Sequence, residues 1–110
     1  MVASVATTPR ARRLDLQLAV EVSGRDRSGR AFTELGRTRN ISGGGVCFES
    51  SLHPPIGSRL RLRIQVPPAL RPRFGQRAIY EVQAVVCRVE NFQGEPSSRV
   101  GARFVGEPAD

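Results

Sequence analysis

The chain has 110 residues, enough for one domain and too few for two. At 39% hydrophobic and 25% charged residues its composition is that of a globular domain rather than a disordered chain. Its formal charge is +7, from 17 basic residues that are all arginine against 10 acidic ones, and such an excess favours an anionic partner: nucleic acid, nucleotide or acidic protein. A general replacement of lysine by arginine gives the same count, so only the placement of the arginines decides.

Met1 to Thr8 is small, polar and aperiodic, and residues 1–9 read as a flexible leader. From Leu14 the pattern changes. Leu14, Leu16, Leu18, Val20 and Val22 alternate with Asp15, Gln17, Ala19 and Glu21, and period two predicts a half-buried strand. Ser23-Gly24 and Asp26-Arg27-Ser28-Gly29 supply turn chemistry. Ala31 to Ile41 reads as a weaker strand, with Glu34, Thr38 and the arginines on its outer face and a bulge or bend at Gly36.

Ser42-Gly43-Gly44-Gly45 interrupts the pattern and Val46-Cys47-Phe48 resumes it. His53-Pro54-Pro55-Ile56-Gly57 is a loop, because prolines cannot donate to a ladder. Leu60, Leu62, Ile64 and Val66 then alternate with Arg59, Arg61, Arg63 and Gln65, a second clear strand. Pro67, Pro68 and Pro72 make the next segment a loop as far as about Gly75. Gln76 to Glu90 predicts a long strand, central or bent because both faces are apolar at Val85 and Val86. Asn91 to Ser98 is a turn region, and Val100, Ala102 and Phe104 mark the last strand. No segment has a helical period. Six short strands between Gly/Pro-rich turns predict an all-β antiparallel barrel or sandwich, since closure hides strand edges.

Enzyme chemistry is not expected. His53, the only histidine, has no evident orienting partner and reads as an exposed loop residue. Cys47 and Cys87 lie in apolar strands, where cysteine acts as a small hydrophobe, and no paired cysteines suggest a metal. Two cysteines are too few for a disulfide scaffold, so a reducing cytoplasm is the expected location. No run approaches a membrane span of ~18 apolar residues.

Two features remain. Arg10, Arg12 and Arg13 precede the first strand, and Asn40-Ile41-Ser42-Gly43-Gly44-Gly45 ends the second. A guanidinium is planar, permanently charged, and able to fork onto phosphate or onto guanine O6 and N7. Asn40 and Ser42 offer hydrogen-bonding groups for another guanine edge, and bare glycines let a ligand approach the backbone.

In these residues the chain resembles the PilZ family, bacterial receptors for cyclic di-GMP. The family pattern is RxxxR before the first barrel strand, then [DN]xSxxG. Asn40, Ser42 and Gly45 occupy the defined positions of the second motif. In the first, Arg13 fits the second arginine, but Pro9 stands where the first belongs and Arg10 is one residue out of register. Gly57, Leu60 and Leu62, and the ending Val100-Gly101-Ala102-Arg103-Phe104, are also similar to the family.

The resemblance implies a six-stranded antiparallel β-barrel of PilZ type over residues 10–106, with a flexible N-terminal arm. Only Val105 to Asp110 follow the last strand pattern, so little or no C-terminal helix is expected, and 107–110 form a tail. It further implies a regulatory domain that takes cyclic di-GMP as ligand without any other cofactor. The ligand is gripped by Arg10, Arg12, Arg13, Asn40, Ser42, Gly43, Gly44 and Gly45, and a change of conformation signals to a protein effector. The shifted arginine keeps open a protein-interaction adaptor that binds no nucleotide. A nucleic-acid barrel, motivated by the Arg59, Arg61, Arg63 row, ranks last, because single-strand binders stack bases on aromatics and this chain has five Phe, one Tyr and no Trp. No DNA or RNA partner is expected.

Overall fold

A computed structural model describes residues 15–106. The leader, Arg10, Arg12, Arg13 and the tail therefore lie outside the described residues. Six strands are arranged in chain order: β1 (Ala19–Arg25), β2 (Ala31–Ile41), β3 (Gly45–Ser50), β4 (Arg59–Gln65), β5 (Ile79–Asn91) and β6 (Ser98–Gly106). They close into a barrel in the order β1-β2-β3-β6-β5-β4, with every neighbouring pair antiparallel. The six-stranded antiparallel barrel expected from the sequence is the observed fold.

Alternation places the core. Val20 and Val22 of β1 point inward beside Leu60, Leu62 and Ile64 of β4, and Val82, Ala84 and Val86 of β5 complete that wall. Val46, Phe48, Val100 and Ala102 fill the other side. Leu62 and Ile64 are fully buried. Side chains of this kind contribute roughly 1.5–3 kcal/mol each on burial.

Several boundaries differ from the sequence expectation. The alternation begins at Leu14, yet the β1 ladder begins only at Ala19 and continues through Ser23 and Gly24, whose composition suits a turn. The turn is Asp26–Gly29 alone. There the Asp26 carboxylate accepts from the Ser28 hydroxyl at 2.7 Å and from the Ser28 and Arg30 amides at 2.9 and 3.0 Å. The Ser28 hydroxyl first, and then the Arg30 amide, hold its pKa below 3.8.

On β2 the arginines Arg37 and Arg39 stand outward as expected, but Glu34 and Thr38 face the other way. Thr38 is 1% exposed and Glu34 is half-buried, while Leu35 stands outward. The bulge falls between Thr38 and Asn40 rather than at Gly36. In place of the Pro-rich loop, residues Pro68–Phe74 form a short 3-10 helix. Proline's fixed φ suits the first helical positions as well as a loop, and Gly75 ends the helix at φ 66. Strand β5 starts at Ile79, and its bend is a register shift between Val86 and Arg88. Cys87 follows inward Val86 and is exposed by ordinary alternation, contrary to its expected place inside, and the shift turns Arg88 outward beside it.

Residues before β1 are held by one side chain. The Leu18 amide donates to the Thr38 hydroxyl at 2.9 Å, and that hydroxyl donates to the Leu16 carbonyl at 2.6 Å. The Thr38 amide in turn donates to the Leu18 carbonyl at 2.9 Å. Thr38→Val keeps the shape and strands two backbone groups beside the core, so it is expected to lower unfolding stability by about 1–3 kcal/mol. Urea denaturation checks this, with Thr38→Ser, which keeps the hydroxyl, losing only about 1 kcal/mol.

Candidate functional site

The segment Asn40 to Gly45 joins β2 to β3 at the barrel end where β1 begins and β4 and β6 finish. The bulge sets its facing. Thr38 pairs with Phe48 and Asn40 with Cys47, leaving Arg39 as the extra residue. Ile41 points into the core at 2% exposure, so its neighbours Asn40 and Ser42 lie on the outer side. In an unbulged strand, strict alternation from inward Thr38 would turn Asn40 inward.

The turn is tied down on both sides. The Ser42 amide donates to the Gly45 carbonyl at 2.9 Å, and the Ser42 hydroxyl accepts the Gly44 amide at 3.2 Å. The Phe104 amide donates to the Gly44 carbonyl at 2.9 Å, anchoring the turn to β6. Asn40 is half-buried, and its side-chain amide makes no hydrogen bond to another described residue. Gly43 and Gly44 are exposed.

The glycines differ from one another. The left-handed glycines among the described residues all lie elsewhere, so this turn does not need them for backbone conformation. Around Gly44 a Cβ would meet nothing within 4 Å, which matches the expected open approach. At Gly45 a Cβ would lie 2.5 Å from the Ala102 carbonyl oxygen. Gly45 therefore corrects the expectation of open space: its missing side chain lets β6 pack against β3.

Thr38 is the residue that sequence reasoning missed. It lies two positions before Asn40 and holds Leu16 and Leu18, so the chain that carries the arginine cluster reaches the barrel next to the turn. The parity of Phe32, Glu34, Gly36 and Thr38 was the available signal. Beside this junction a surface groove of about 380 Å³ opens among Gln17, Arg37 and Arg71.

Other candidates are structural. His53 is half-buried rather than exposed, with Nδ1 2.8 Å from the Ser98 hydroxyl, at the opposite end of the barrel. Among the described residues no His, Cys, Asp and Glu group has metal-binding proximity, and both cysteines are free. In the β4 arginine row, Arg63 lies 2.9 Å from Glu81 and 3.7 Å from Glu21, and Arg59 reaches Gln83 at 3.4 Å. No helix among the described residues is long and apolar enough to cross a membrane.

Known proteins share this fold. The family model described as PilZ domain matches residues 7–110. The chain is similar to the solved structure of the Bacillus subtilis inhibitor of motility MotI/DgrA, with a TM-score of 0.67 and 22% identity over 91% of this chain and 44% of that one. It is similar to K. pneumonia MrkH in its apo state, with a TM-score of 0.57 and 16% identity over 86% of this chain and 42% of that one. The MrkH–c-di-GMP complex gives a TM-score of 0.58 and 16% identity over 88% and 43%. The chain thus spans less than half the length of these solved proteins. No curated protein sequence matches it.

The contrast between the two glycines is testable. Gly45→Ala is expected to lose about 1–3 kcal/mol of stability by forcing β3 from β6, whereas Gly44→Ala should melt like the parent protein. Thermal denaturation of both variants checks this. Equal melting temperatures would show that β6 does not constrain Gly45.

Proposed function

This chain belongs to the PilZ domain family, and on that premise we propose that it is a regulatory domain that binds cyclic di-GMP and carries out no catalytic step. The observation that supports this reading most is the Asn40–Gly45 turn. Its polar side chains stand on the outer side of the barrel, and its backbone is fastened to β6. One similar solved structure, that of MrkH, is named as a complex with c-di-GMP.

In the proposed mode, Asn40 and Ser42 meet a guanine from the barrel side, while Gly43 and Gly44 leave the backbone accessible. Arg10, Arg12 and Arg13 supply the cations. Arg13 is three positions before Leu16, which limits its backbone reach to about 11 Å from the point where Thr38 holds the chain. Thr38 therefore keeps the arginines close to the turn they serve. A guanidinium gives charge-assisted bonds to phosphate, and each arm residue ordered costs roughly 1–2 kcal/mol of backbone entropy. Several such bonds are needed together. Drawing the arm over the ligand is the conformational response we propose, and a protein effector reads the changed surface.

A second reading is favoured by Pro9, which stands at the first arginine position of the family pattern. In that reading the domain is an adaptor that binds its protein partner without nucleotide.

Isothermal titration with cyclic di-GMP separates the two. The ligand reading expects saturable binding, with Asn40→Ala and Arg13→Ala each weakening it about tenfold, the equivalent of about 1.4 kcal/mol. Absence of binding at millimolar ligand would leave the adaptor. Binding unaffected by both substitutions would remove these residues from the site.

A further inference from the structure

Strand β6 brings a further cation to the same outer surface. In the β3–β6 register Arg103 pairs with Gly45, and in the β5–β6 register it pairs with Val85. Paired residues of antiparallel strands share a face, so Arg103 stands between a glycine and a valine on the outside of the barrel. It is exposed, and its side chain makes no ion pair or hydrogen bond to another described residue. The carboxylates Glu49 and Glu90 lie opposite Arg99, four positions before Arg103 on β6, and are engaged with Arg39 at 2.9 Å and Arg88 at 3.8 Å.

The next outer row runs Asn40, Cys47, Gly101 and Arg88 across β2, β3, β6 and β5. Cys47 is buried yet absent from the core cluster that contains Val46 and Phe48, as its outward phase requires. Asn40 and Arg103 are thus separated on this surface only by Gly45, Cys47 and Gly101. The Arg88 side chain lies over Gly101 from β5, and the Gly45–Cys47 part of the strip carries no large side chain of its own. Both carry planar groups with unused donors.

We propose that Arg103 is a guanine-recognising residue of the ligand site, an inference that rests on the cyclic di-GMP reading above. Its fork of two parallel N–H donors matches guanine O6 and N7, while the Asn40 amide on the opposite side of the same shallow surface serves the remaining edge. Adenine offers N7 but presents an amine in place of O6, so this contact selects guanine. Lysine cannot replace Arg103 in this role, because an ammonium is a point charge without the planar fork.

The experiment is titration of the full chain with cyclic di-GMP, comparing Arg103→Ala, Arg103→Lys and the control Arg61→Ala, an outward arginine on β4. Circular dichroism should show all three folded, since neither arginine is buried. The inference expects Arg103→Ala and Arg103→Lys both to weaken binding at least tenfold, and Arg61→Ala to stay within twofold of the parent. Parent-like binding by Arg103→Ala overturns the inference and leaves the ligand reading standing. Retained affinity in Arg103→Lys, or an equal loss in Arg61→Ala, reduces Arg103 to general charge and also overturns it. Failure of the parent protein to bind overturns both readings.

Discussion

The Thr38 hydroxyl joins the chain entering the barrel to the strand that ends in the polar turn. It accepts from Leu18 and donates to Leu16, so two backbone groups of an otherwise irregular segment are satisfied by one side chain. Buried backbone groups demand such partners. Because Thr38 also sits at the bulge that turns Asn40 outward, the same position fixes where Leu16 to Leu18 meet the barrel and which way the motif faces. The entry to β1 and the motif are thereby referred to a single point on β2.

The closed ladder supplies the stiffness behind that point. Glu34 accepts from the Ser50 hydroxyl at 2.8 Å and from the Ser51 amide and hydroxyl at 2.9 and 2.8 Å, knitting β2 to the end of β3. Ser98 meets His53 on the same end. These polar contacts hold one rim of the barrel, and the bulge, Thr38 and the Phe104–Gly44 hydrogen bond hold the other. The side-chain chemistry of the first rim is consumed internally, whereas Asn40 and Arg103 on the second make no side-chain hydrogen bond to a described residue.

Much of the architecture is legible in the sequence because burial of one face writes period two into a strand. Leu60, Leu62, Ile64 and Val66 with their intervening arginines leave no other reading, and Val20 and Val22 behave likewise. Thr38 escapes the pattern because threonine suits either face of a strand, and only its parity with Phe32 distinguishes them. Cys87 escapes it because β5 is apolar on both faces around Val85 and Val86, so residue type does not say which face is buried. The 3-10 helix is hidden by prolines that are equally at home in loops. Asn40, Ser42 and the glycines are visible as a motif, yet the distinct role of Gly45 depends on the Ala102 carbonyl of a strand remote in sequence. Arg10, Arg12 and Arg13 are visible as a cluster and lie outside the described residues.

A ladder that returns to its first strand leaves amides and carbonyls vacant where one strand outruns its neighbour, as residues 31–37 of β2 do beyond β3 and residues 87–91 of β5 do beyond β4. Another polypeptide therefore meets short stretches rather than a full-length margin to extend. Most of the surface open to a partner consists of projecting groups. Those positions answer to no packing constraint from within, which lets related domains exchange one listener for another while the cylinder beneath stays the same.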